Sequence, residues 1–203
     1  MDKSNIRKNA KIYGVPIIRT KSHEILKDYI KQTRPKHILE IGTAVGYSGI
    51  TMLENSDADL ITIEHNKNYA AEAKKNFKTN GFFNRVKIEL GDCLVILAKM
   101  VASKKYDGYF DFIFLDGPKA QYDQMLELLL ILLADGGTFV ADNVLFRGYV
   151  EGDKKPPTKR FKTIIKRLND FIEKCKNHSN FVNFELNSTE DGLIFAKKVK
   201  DEK

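Results

Sequence analysis

The most constraining feature of this 203-residue chain is a regular alternation, between residues 37 and 141, of short apolar runs with longer amphipathic ones. Residues 37–41, 60–64, 86–90, 110–115 and 137–141 are short and rich in Ile, Leu, Val and Phe, so they read as strands buried on both faces. Residues 47–53, 66–80, 93–103 and 121–133 carry helical spacing between them, and Asn80-Gly81 stops the second of these helices. Strand and helix in turn predict an α/β fold, a mostly parallel sheet with helices on both faces. After a helix over 158–176, runs near 181–186 and 192–199 are joined only by 187–191. So short a link dictates an antiparallel hairpin and brings the sheet to seven strands. Upstream, Ile25, Leu26, Tyr29 and Ile30 form one stripe on a helix over 22–32, with Ser22 as its N-cap and Pro35 beyond its end.

A hydrophobic content of 42% suits one domain over 1–203, with residues 1–35 as an N-terminal segment and helix. The longest apolar run, 128–134, is far too short to cross a bilayer, so no membrane partner is expected. The opening MDKSNIRKNAKIYG is polar and basic, without the apolar stretch of a secretory leader. Cys93 and Cys175 have neither metal-type spacing nor the number a disulfide framework needs, and the cytoplasm is the expected compartment. The net charge of +7 favours phosphate-bearing partners, but a lysine-rich chain reaches that value without binding nucleic acid.

Ligands of open α/β sheets bind beyond the C-terminal strand ends, where the strand order reverses. The first strand runs into Glu40-Ile41-Gly42-Thr43-Ala44-Val45-Gly46-Tyr47-Ser48. Gly42 lets the backbone turn close to a ligand, but the second glycine of a pyrophosphate loop is absent. Glu40 is awkward beside pyrophosphate and compatible with a cationic sulfonium or amino group, so a nicotinamide-dependent oxidoreductase is disfavoured. Glu64, ending the second strand, is placed for ribose hydroxyls. Asp92 caps the next helix and stands where an adenine amine would lie. Asp116 ends the fourth strand, and Asp142-Asn143 ends the fifth on the same edge. Three oxygen donors without His or Cys suit Mg²⁺, Mn²⁺ or Ca²⁺, and Lys119 follows Asp116 by one turn.

With Glu40-Ile41-Gly42-Thr43, Gly46-Tyr47-Ser48, Glu64, Gly91-Asp92, Asp116 with Lys119, and Asp142-Asn143 in this order, the chain resembles a known family over nearly its whole length. It is similar to the metal-dependent class I O-methyltransferases related to catechol and caffeoyl-CoA O-methyltransferases. The resemblance implies a Rossmann-like class I methyltransferase fold, with S-adenosylmethionine as cofactor and Mg²⁺ as metal. It implies that Glu40, Gly42 and Ser48 hold the methionine end of the cofactor, with Asp116 also among its contacts. Glu64 would hold the ribose, Asp92 and Cys93 would border the adenine, and Ile18 would lie on an upstream segment folded over the cofactor. Asp116, Asp142 and Asn143 would hold the metal. Asp116 and Lys119 would be catalytic, Lys119 as base or as electrostatic helper at the acceptor hydroxyl.

Within the family, Asn143-Val144-Leu145-Phe146-Arg147-Gly148 is most similar to bacterial enzymes that methylate 5-hydroxyuridine at the tRNA wobble position. That implies a tRNA anticodon loop as partner. Its phosphates would meet a basic rim of Arg19, Lys21, Arg147, Lys154, Lys155, Lys159, Arg160, Lys162, Lys166 and Arg167. A small catechol-like acceptor is the competing expectation, and a non-catalytic RNA-binding domain a weaker one. A homodimer is left open. Residues 151–157, charged and stiffened by proline, are expected to form a mobile loop beside this rim.

Overall fold

The computed structural model describes residues 3–152 and 155–199, so Lys154 and part of the expected 151–157 loop lie outside the described residues. Two helices, α1 (Lys3–Ile12) and α2 (Thr20–Thr33), precede the alternation. It runs β1 (His37–Ile41), α3 (Tyr47–Glu54), β2 (Asp59–Glu64), α4 (Lys67–Thr79), β3 (Val86–Leu90), α5 (Cys93–Ala102), β4 (Phe110–Leu115), α6 (Tyr122–Leu132) and β5 (Leu133–Asp142). Then α7 (Lys159–Asn177) leads to β6 (Phe181–Asn187) and β7 (Leu193–Lys198). The strands lie in the order β3-β2-β1-β4-β5-β7-β6. The first five are parallel, and β7 runs antiparallel to both β5 and β6. This is the mostly parallel α/β sheet expected from the alternation, closing hairpin included, and the Rossmann-like fold that the family resemblance implies.

The pleat sends alternate residues of β4 into two separate cores. Phe112 and Phe114 pack with Leu26 and Ile30 of α2 and Ile50 of α3, whereas Ile113 and Leu115 pack with Leu126 and Leu129 of α6 and Phe171 of α7. Each such side chain contributes roughly 1.5–3 kcal/mol by leaving water, so a shift of β4 would forfeit both layers at once. The strand ends that carry the site are fixed by this double packing. Among the described residues, no helix is long and apolar enough to cross a membrane.

Three local features differ from expectation. No helix is expected before residue 22, yet α1 forms there. Its buried stripe is only Ile6 and Ala10, one turn apart, too narrow to stand out in a polar sequence. Ser22 is not an N-cap. α2 starts at Thr20, the cap position is taken by Arg19 without a side-chain cap, and the Ser22 N–H donates instead to Glu190 Oε2 at 2.9 Å. That partner comes from the far end of the chain, beyond any local motif. Finally, β5 starts at Leu133 instead of residue 137, because Leu133 already pairs with Phe110 before the register shifts and Thr138 pairs with Phe112.

Candidate active site

Strand order reverses at β1, with β2 on one side and β4 on the other. A cleft of about 440 Å³ opens at that point. Its wall is built from strand-end residues: Gly42 and Ala44 after β1, Glu64 at the end of β2, Asp92 and Cys93 after β3, Asp116 and Lys119 after β4, and Asn143 after β5. Pro16 and Ile17 close it from the N-terminal side. The ends of β1 and β4 are pressed together, since the Asp116 N–H donates to the Ile41 carbonyl at 2.9 Å. Gly42 has φ +99°, and a Cβ there would lie 2.3 Å from the Asp116 carbonyl oxygen. Gly42→Ala is therefore expected to cost about 1–3 kcal/mol of stability and to spread the cleft floor. Thermal unfolding with and without cofactor would read both effects.

Glu64 is almost fully buried and fastens two loops, accepting from the Ala44 N–H and the Asn66 N–H at 2.8 Å each. Asp92 caps α5, accepting from the Val95 N–H at 3.1 Å, and also lines the cleft. The Cys93 thiol donates to Gln121 Oε1 at 3.4 Å, and burial pushes its pKa up. Glu40, Ser48 and Ile18 are buried and lie behind the lining. Ser48 Oγ donates to Glu40 Oε1, and Thr62 Oγ1 donates to Glu40 Oε2 at 2.6 Å. Burial pushes the Glu40 carboxyl up to about 7; the two hydroxyls oppose the shift, and Asp116 and Glu64 add to it. Glu40 and Ser48 thus form a buried support beneath Gly42. Ala44, His65 and Tyr69 line the cleft without having been singled out, because nothing in their chemistry marks them.

The end of the cleft beside Asp116 carries crowded negative charge. Asp142 is fully buried behind Asn143; its Oδ1 accepts the Asn143 N–H at 2.7 Å, and its Oδ2 has no hydrogen-bond partner. Burial, and then the Asp116 charge, push Asp142 up to about 8, against the pull of Lys119. Lys119 Nζ lies 3.1 Å from Asp116 Oδ1. Burial lowers the Lys119 pKa, but Tyr122, Asp116 and Asp142 raise it on balance. Among the described residues, no three His, Cys, Asp or Glu side chains are grouped to hold a metal. The candidate set is two carboxylates and one carboxamide. It fits a hard cation through its all-oxygen chemistry, its surplus of negative charge and the orphaned Asp142 oxygen.

The basic rim is only partly available. Arg19 Nη2 pairs with Asp191 Oδ2 at 2.9 Å, so this predicted phosphate contact is engaged within the protein. Lys166 pairs with Asp170 at 2.7 Å, and Arg167 donates to the Ala120 carbonyl at 2.8 Å. Lys21, Arg147, Lys155, Lys159, Arg160 and Lys162 are exposed. The start of α7 sits beside the loop after Asn143, with the Phe146 and Phe161 rings 5.3 Å apart.

The model of the family described as O-methyltransferase matches residues 5–199. The chain belongs to that family. The matched span of this O-methyltransferase-family chain includes every cleft residue named above. It is 35% identical over 141 residues to catechol O-methyltransferase of Niastella koreensis, covering 68% of this chain and 63% of that protein. To catechol O-methyltransferase of Bos taurus it is 31% identical over 169 residues, covering 76% and 61%. These matches span a little under two thirds of either relative's own length. A crystal structure from Staphylococcus aureus, with a provisional caffeoyl-CoA O-methyltransferase assignment, superposes with a TM-score of 0.86 at 29% identity over 98% of this chain and 92% of that one. An O-methyltransferase of Bacillus cereus in complex with SAH shares the fold, with a TM-score of 0.80 at 23% identity over 97% and 90%.

Proposed function

We propose that the chain transfers a methyl group from S-adenosylmethionine to a hydroxyl oxygen that has a second oxygen beside it, assisted by Mg²⁺, and that its acceptor is 5-hydroxyuridine at the wobble position of tRNA. The observation that carries this is the meeting of Asp116, Lys119 and Asn143 at one end of the cleft, with the unpartnered Asp142 oxygen behind them. Gly42, Glu64, Asp92 and Cys93 would hold the cofactor, supported by Glu40 and Ser48, while Pro16 and Ile17 exclude water. Asp116, Asp142 and Asn143 would hold the metal, which when bound supplies Lewis-acid stabilisation of the acceptor oxyanion. In-line attack forms the O–CH₃ bond as the C–S bond breaks, and S-adenosylhomocysteine leaves. Lys119 would take the hydroxyl proton only if the bound cation offsets the acids that raise its pKa; kept charged, it would face the oxyanion while the proton leaves to solvent.

Support for an RNA acceptor comes from exposed Lys155 ahead of α7 and exposed Lys159, Arg160 and Lys162 at its start, beside the loop that follows Asn143. An unpaired loop base can reach the metal residues without melting a duplex. Neutralising Lys155, Lys159 and Arg160 together is expected to raise the KM for hydroxyuridine-containing tRNA and leave cofactor affinity unchanged. The salt dependence should flatten by about 0.7 in log–log slope for each single-strand phosphate that these side chains no longer neutralise. Identical salt slopes would remove this surface from the model. The 35% identity to a catechol O-methyltransferase favours a second acceptor class, small catechol-like molecules. Turnover of a catechol with none on that tRNA at any salt would establish it.

A further inference from the structure

The segment that closes the cleft, residues 16–19, is held from two directions. On the α1 side, Arg7 donates to the Ile18 carbonyl at 3.1 Å and to Thr20 Oγ1 at 2.9 Å, while its Nε donates to the Tyr47 hydroxyl at 3.0 Å. On the other side stands the β6–β7 turn. There Asp191 Oδ2 pairs with Arg19 at 2.9 Å, and Glu190 supplies the acceptor that the start of α2 lacks.

Asp191 also reaches the acceptor side. Its Oδ1 accepts the Arg147 N–H at 3.1 Å, and its carbonyl accepts the Leu145 N–H at 2.8 Å. Phe146 and Arg147 have φ of +46° and +61°, a region that side chains disfavour, so this loop depends on outside partners to keep its shape. The turn cannot slide to compensate. Gly192 has φ +78°, and a Cβ there would lie 2.4 Å from Leu145 Cγ.

We infer that Asp191 is a positioning residue that latches the cofactor-covering segment to the acceptor-side loop, so that closure over the cofactor and placement of the acceptor are one event. This rests on the proposed placement of cofactor in the cleft and acceptor beside Asn143. The two carboxylate oxygens have separate partners, so variants separate the two bonds. Asp191→Asn keeps an acceptor for the Arg147 amide and removes the charge facing Arg19. Pairing Arg19→Asp with Asp191→Arg restores an ion pair in reverse and leaves the Arg147 amide without its acceptor.

The test measures S-adenosylmethionine affinity by calorimetry, trypsin cleavage after Arg19 and Lys21, and the acceptor KM. Asp191→Asn should weaken cofactor binding about tenfold and speed cleavage, with melting temperature nearly unchanged. The reversed pair, which no longer has a trypsin site at residue 19, should recover cofactor affinity but not the acceptor KM. Wild-type affinity and cleavage in Asp191→Asn would overturn the latch. So would a fall in melting temperature that matches the loss of affinity, because Asp191 would then be a general stabiliser. If wild-type protein itself failed to bind S-adenosylmethionine, the cofactor assignment would fall first.

Discussion

Asp142→Asn should abolish methyl transfer and yet make the metal-free protein more stable. The asparagine oxygen still accepts the Asn143 N–H, which the aspartate does at 2.7 Å, so the strand end keeps its shape. What disappears is a carboxyl that must either stay charged in the interior or take up a proton to be buried, with one oxygen unpartnered. Relieving it should gain about 1–3 kcal/mol, while the loss of a proposed metal ligand should lower transfer by more than roughly a hundredfold, below detection. The pH dependence follows from the direction of the shift. Asp142 rises from 3.8 unfolded to about 8 folded, so between those values the folded state holds an extra proton and stability falls as pH rises. Glu40, raised to about 7, acts in the same sense. Wild-type melting temperature in chelator should therefore fall from pH 4 to pH 8, less steeply in Asp142→Asn. The stabilisation by added Mg²⁺ should be larger at pH 8 than at pH 6. A Mg²⁺ effect equal at both pH values, or equal in the variant, would remove Asp142 from the metal set.

Glu64→Ala should cost most of the cofactor affinity. The carboxylate fastens Ala44 and Asn66 at 2.8 Å each and faces the cleft, so its loss frees the loop after β1 as well as removing the proposed ribose partner. Charge-assisted hydrogen bonds contribute roughly 1.5–3 kcal/mol each, so affinity should fall on the order of a hundredfold. Glu64→Gln should lose less, since its one carbonyl oxygen can still accept from one of the two amides. Calorimetry on folded protein decides it: unchanged affinity in Glu64→Ala would place the cofactor elsewhere.

Strand-end chemistry was legible because topology alone places it. Gly42, Glu64, Asp116 and Asn143 each end a strand or follow one, and a parallel sheet brings those ends to one edge whatever the helices do. Depth was not legible. Period-two alternation tells which face Glu40 shares but not whether its carboxylate reaches the cleft, and it is held below by Ser48 and Thr62. Pairing between distant segments was hidden too. Arg19 looked like a free cation for phosphate until Asp191 met it from the last hairpin, and Ser22 looked like a cap until Glu190 took its amide. The α1 stripe of Ile6 and Ala10 carries too few apolar positions to register without the core it completes.

The most direct test of metal-assisted O-methyl transfer is mass spectrometry of acceptors incubated with the protein and S-adenosylmethionine, in Mg²⁺ and in chelator. The expected product is one oxygen-bound methyl on hydroxyuridine-containing tRNA in Mg²⁺, absent in chelator and absent with Asp142→Asn. Transfer undiminished by chelator, or no transfer to either that tRNA or a catechol, would contradict it.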